Sequence, residues 1–188
     1  MNKKTWFNWG IWMGVVMGVY AFLYTLTPLS SYGVMWATFI AMPIFLTAGG
    51  KKEDLWTYIC GGIVGVAWGY VFIQAGVLCV NAGMSASVAN FLSTLVVTIV
   101  CVWVHGILLA NTFLNTLPPI FGGMAATIAG SIFSDGQAYL LPLAATLVLG
   151  VLAGFACMYG LTLMNEDGSW KFLNKGDIME KTSEETES

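Results

Sequence analysis

Residues 95–104 read LVVTIVCVWV, ten positions with no charge and no apolar–polar alternation. A strand of a membrane barrel alternates between lipid-facing and lumen-facing residues, so this run is not one. In hydrocarbon the backbone must satisfy its own hydrogen bonds, and a continuous apolar run does that as a helix. Extended in both directions, the run becomes an apolar stretch over 87–110. Five others flank it, over 9–27, 32–48, 55–78, 117–133 and 138–164. A spanning helix needs about 20 residues, with a range of about 17–25. The expected fold is all-α: a polytopic membrane protein of six transmembrane helices over residues 1–164. Residues 165–188 form a polar tail ending in 182-TSEETES-188, expected to be cytoplasmic and disordered. Trp170, Phe172 and Leu173 within it are expected to rest at the membrane surface.

Composition excludes the other classes. The chain has 188 residues, 57% of them apolar and 9% charged, where a soluble domain carries about 25% charged residues. Disorder and a disulfide-rich scaffold fail on the same figures. The Lys plus Arg total is 7, all of it lysine, and the net charge is -3, so no nucleic-acid partner is expected. The partner is the bilayer. The first stretch is read as a retained span and not a signal peptide, because no small-residue cleavage site follows it. Trp6, Trp9 and Trp12 form an interfacial belt at its start. Lysine placement sets the orientation. With the N-terminus inside, Lys3, Lys4, Lys51, Lys52, Lys171, Lys175 and Lys181 all face the cytoplasm, and the connections at 27–31, 79–86 and 134–137 hold none. Both termini are therefore expected in the cytoplasm.

Small residues recur every four positions. Gly10, Gly14 and Gly18 do so on the first span, Gly61, Gly65 and Gly69 on the third, and Gly122, Ala126 and Gly130 on the fifth. Gly150 and Gly154 continue the pattern on the sixth. Such stripes let helix backbones approach closely in lipid, either inside one protomer or across a homo-oligomer seam. A 3+3 repeat is suggested by 43-PIF-45 against 119-PIF-121 and by 65-GVAWG-69 against 150-GVLAG-154. Three spans per unit would give the two halves opposite orientation, an arrangement that places a site between them. Pro43 should break the second helix, and Pro118 and Pro119 open the fifth.

No Asp, Glu, Lys or Arg lies inside any span. Proton-coupled carriers and voltage sensors rely on such groups, so neither is expected. No catalytic group, cofactor site or metal site is expected, because no acid–base pair, phosphate loop or converging ligand set occurs. Cys60, Cys79, Cys101 and Cys157 are spread over separate spans and read as packing residues. His105, the single histidine, serves either as a neutral packing residue or in a proton relay. Asn90, Thr94 and Thr98 lie four apart and should turn one polar face toward the bundle. There they either bond neighbouring helices or, with His105, line the path of a small solute. On the second reading Thr94→Val should alter flux.

The runs 36-WATFIAMPIFLTAGG-50, 61-GGIVGVAWGYVF-72, 117-LPPIFGGMAATIAG-130 and 142-PLAATLVLGVLAGF-155 resemble the YcdZ-like bacterial inner-membrane proteins, a family of unknown function. The resemblance implies an inner-membrane location and supplies no substrate or catalytic residue. More distantly, the second and third spans look like the membrane half of aromatic-acid and fusaric-acid exporters. Export of that kind is not expected, since the 188 residues hold no counterpart of those exporters' large cytosolic portion. The expected function is a passive channel or facilitator for a small neutral or weakly charged solute. The alternative is a non-transporting subunit that packs against a partner complex.

Overall fold

Charge-free apolar stretches become helices wherever glycine and proline allow it. The computed structural model describes residues 1–133 and 136–173. Six α-helices follow in order: α1 (Lys3–Thr25), α2 (Thr38–Thr47), α3 (Leu55–Asn81), α4 (Ala86–Trp103), α5 (Leu117–Phe133) and α6 (Leu140–Thr162). The described residues contain no strand, only one antiparallel bridge between Met164 and Trp170. The side chain of Asn2 starts α1 by accepting the Thr5 N–H at 2.8 Å. Four helical stretches are long and apolar enough to cross a bilayer: Lys3–Thr25, Lys52–Asn81, Ala86–Leu108 and Leu140–Thr162.

The second and fifth elements are shorter. The helical stretch over Met35–Thr47 reaches about 20 Å and α5 about 25 Å at the usual helical rise, against a hydrocarbon core of about 30 Å. The expected span at 32–48 is thus cut back at its start. Gly33, with φ 65°, closes a separate turn over Pro28–Tyr32, and helix begins only at Met35. Gly49 and Gly50, with φ 99° and 58°, end it. Both need the left-handed region that glycine adopts without steric cost. Pro43 sits on the exposed side of α2.

Glycine decides which helices touch. A Cβ on Gly65 would lie 2.9 Å from the Gly123 Cα and overlap the Ile120 carbonyl. On Gly69 it would lie 2.9 Å from the Met124 carbonyl oxygen and overlap Thr127. α3 and α5 therefore run parallel, backbone against backbone. On α6, a Cβ on Gly150 would sit 3.0 Å from Thr38, and one on Gly154 would sit 3.4 Å from the Met42 carbonyl oxygen. α6 and α2 are parallel in the same manner. α3 and α6 also pack together, and α2 meets α5. Phe45, Leu143, Leu147, Val151, Tyr58 and Val66 fill the space among these four helices. α1 and α4 are peripheral. α4 lies on α3, with Val97 and Cys101 packed against Ile120 and Met124 of α5. α1 lies on α6, where the indoles of Trp9 and Trp12 donate to the Cys157 and Ala156 carbonyls at 2.9 and 2.8 Å. An indole N–H in hydrocarbon needs such a partner. By contrast, Gly10, Gly14 and Gly18 face outward, and a Cβ on any of them would meet nothing within 4 Å.

The start of the expected leash is ordered. Residues 165–171 turn back so that the Lys171 N–H donates to the Leu163 carbonyl at 3.0 Å, and the turn docks on the first turns of α1. Asn8 donates to the Gly168 carbonyl at 2.8 Å, and Lys4 pairs with Asp167 at 2.9 Å. Gly168, at φ 83°, lies so close to Thr5 that a Cβ would come within 2.6 Å of its backbone nitrogen. The Ser169 hydroxyl and N–H, with Lys4, hold the Asp167 carboxyl well below the usual carboxylate range. Trp170 lies between Trp12 and Phe172. The start of α1 and the end of α6 thus share one end of the bundle. The expectation of disorder over 174–188 falls outside the described residues, as do loop positions 134 and 135.

Candidate functional site

The two short helices, α2 and α5, share the middle of the bundle with α3 and α6, α5 packed on α3 and α2 on α6. Where they meet there is a central cavity of about 10 Å³ walled by Ala41, Ile44, Tyr58, Gly62, Pro119 and Gly123 among others. That is room for about one water. Its walls are apolar side chains interrupted by glycine, and the Gly62 carbonyl oxygen lies so close to Gly123 that a Cβ there would overlap it. Pro119, in the first turn of α5, is buried against Gly61, where a Cβ would come 2.7 Å from the proline ring. Pro118 next to it is exposed. Gly122 and Gly130 are filled by Ile44 and Tyr139, and Ala126 is fully buried.

The polar stripe on α4 is not at this centre. The side of α4 turned inward carries Ala89, Ser93, Val97 and Cys101. Asn90 and Thr94 are exposed and Thr98 is half-buried, so the expectation that this face meets the bundle is corrected. The physical reason is size and local satisfaction. Ala, Ser, Val and Cys permit close approach to α3, where Gly76 faces Ser93. Thr94 donates to the Asn90 carbonyl at 2.7 Å, so its hydroxyl needs no other helix. Asn90 instead borders an outer groove of about 300 Å³ between α3 and α4, together with Asn81 and Ser93.

His105 sits apart from the stripe, buried in a π turn over Val104–Leu108 that continues α4. The Trp68 indole N–H donates to its Nε2 at 2.9 Å. An indole nitrogen can only donate, so Nε2 accepts and the proton resides on Nδ1. Nδ1 then donates to the Leu114 carbonyl at 2.8 Å. The imidazole is neutral and satisfied on both sides, and it ties α3 to the 109–116 connection. That connection closes on itself through Asn115 to the Ala110 carbonyl and Thr112 to the Leu109 carbonyl, each at 2.8 Å. Trp68 was not foreseen as a partner, since it lies on a different helix 37 positions away. Gly62 and Gly123 were also missed, although each is the second glycine of a Gly-Gly pair. Cys101 and Cys157 are buried, Cys60 and Cys79 half-buried, and all four are free thiols.

No curated protein and no solved structure matches the chain. Residues 10–161 match the family described as "Protein of unknown function (DUF1097)". That segment takes in all of α2 to α5, nearly all of α6 and the larger part of α1, so the packed bundle is the family's domain. This chain, an all-helical and strongly apolar protein built to lie in a membrane, belongs to that family.

Proposed function

We propose that the chain is a passive facilitator for a small neutral solute, built from two three-helix halves of opposite orientation, with the solute path between α2 and α5. One observation carries the reading: α6 grips α2 in the register in which α3 grips α5. Gly65 meets Ile120 and Gly123 while Gly150 meets Thr38 and Ala41. Four residues on, Gly69 meets Met124 and Thr127 while Gly154 meets Met42 and Phe45. α4 lying on α3 is likewise matched by α1 lying on α6. This register supports the repeat of GVAWG and GVLAG but not that of the two PIF runs, because it pairs Pro43 with Ala125. Short, proline-bearing helices at equivalent places in inverted halves mark the site in transporters of this design. Gly62 of α3 and Gly122 and Gly123 of α5 bring backbone to the path of a solute without charge, in line with the charge-free spans. The lysine distribution supports six crossings with both ends in the cytoplasm, the resemblance to YcdZ-like proteins supports a bacterial inner membrane, and the shared location of the two helix ends agrees with an even count. The closed centre is the resting arrangement; passage requires the α3–α5 pair to slide against the α2–α6 pair. No catalysis is involved. Swelling of proteoliposomes in urea, glycerol, short amides and weak acids tests the reading, with selective swelling expected for at least one of these.

A second reading, a subunit that packs against a partner complex, is favoured by the open glycine face of α1. Copurification of a stoichiometric partner from native membranes, combined with no swelling, would select it.

A further inference from the structure

The bundle end that holds Lys4 and Asp167 also carries a groove of about 440 Å³ with two chemically different walls. One wall is the turn Gly49–Gly50–Lys51–Lys52, and the other is the last turns of α6, with Phe155, Met158, Tyr159 and Thr162. The turn is fixed in place. Gly50 has φ 58° and touches Met158 so closely that a Cβ would overlap it. Lys51 and Lys52 are exposed, and neither ammonium has a hydrogen-bond or ion-pair partner among the described residues. A third ammonium lies beside the groove, where Lys171 donates at 2.7 Å to the carbonyl of Thr162, a residue of its wall. Glu53 contributes the only carboxylate lining it among the described residues.

We infer that this groove binds the headgroup of an anionic phospholipid, with its phosphate between Lys51, Lys52 and Lys171 and an acyl chain along Met158, Phe155 and Tyr159. Charge complementarity and position favour a lipid over other occupants. The lysines outnumber the carboxylate, and the apolar wall is continuous with the outer surface of a helix long enough to cross the bilayer. A basic pocket at that level, between helices, suits a lipid phosphate. The inference rests on the reading that these helices lie in a bilayer.

The test uses the full chain in nanodiscs of phosphatidylcholine titrated with phosphatidylglycerol, with bound lipid counted by native mass spectrometry. Failure to insert into nanodiscs at all would defeat the membrane reading itself. With insertion achieved, the parent is expected to retain phosphatidylglycerol in preference to phosphatidylcholine. A surface lysine contributes about five-fold to anionic lipid binding, so the K51Q/K52Q variant should bind about 25-fold more weakly. Lys171→Gln should lose about five-fold, and Lys3→Gln, at the same end but outside the groove, should lose none. Soluble glycerol phosphate should not compete, because it lacks the acyl chain. Equal retention by parent and K51Q/K52Q, an equal loss per charge in Lys3→Gln, or displacement by glycerol phosphate alone would each overturn the inference.

Discussion

Gly65→Ala examines the contact on which the bundle depends. The new methyl would lie 2.9 Å from the Gly123 Cα and overlap the Ile120 carbonyl. Carbon atoms pack comfortably at about 3.5–4.0 Å, so α5 must retreat by about 0.6 Å or more. The obstacle is backbone, which has no rotamer to change, so the overpacking penalty belongs at the top of its range of about 1–3 kcal/mol. Alanine returns about 1 kcal/mol of helix propensity relative to glycine. The net loss is about 2 kcal/mol, or about 30-fold in the folding equilibrium at about 1.4 kcal/mol per tenfold. Gly10→Ala supplies the control, because its methyl meets nothing within 4 Å. It should be neutral or stabilising by up to about 1 kcal/mol. Unfolding of both variants in mixed micelles, followed by circular dichroism, measures the difference. Unchanged stability in Gly65→Ala, or an equal loss in Gly10→Ala, would refute the assignment of α3–α5 as the close-packed seam and α1 as the open face.

Trp68→Phe keeps an aromatic ring but removes the donor to His105, leaving Nε2 buried and unpaired. It should cost about 1–3 kcal/mol, measured by the same unfolding assay; no loss would mean the histidine is held by Leu114 alone. The docked turn should depend on pH. Because Asp167 is held below its ordinary 3.8 when docked, its contribution is full above about pH 4 and is lost as pH falls through the lowered value. Protection of the Asn165 and Lys171 amides against hydrogen exchange, taken relative to the intrinsic rate at each pH, should therefore fall in acid, and Gly168→Ala should lower it at every pH.

The sequence and the structure agree where composition alone decides the outcome. Long charge-free runs became helices, and the glycine stripes of the third and sixth spans became helix contacts. The identical spacing of the stripe on α1 carries no such contact, because spacing states that close approach is feasible and not that a neighbour is present. Polarity does not decide which face of α4 turns inward. Asn90 and Thr94 look costly in lipid, yet a threonine bonded to its own helix is not, and the smaller series Ala89, Ser93, Val97 and Cys101 was the better guide. The length of α2 was obscured because apolar content is blind to a left-handed Gly33. The docking of 165–171 joins Lys4 to Asp167, 163 positions apart, and Asn8 to Gly168, 160 apart, which no local pattern reveals.

The central claim is that solute passes between the two halves and not along the outer face of α4. Osmotic swelling of proteoliposomes containing parent, Gly62→Ala or Thr94→Val protein measures it most directly. Gly62 borders the central cavity, and a Cβ there would have ordinary room at 3.8 Å from Leu147, so one methyl can occupy the space of the single water without driving the helices apart. The account predicts selective swelling with the parent, slower swelling in Gly62→Ala because the path is narrowed, and parental rates in Thr94→Val. Full swelling in folded Gly62→Ala, together with loss in Thr94→Val, would contradict it.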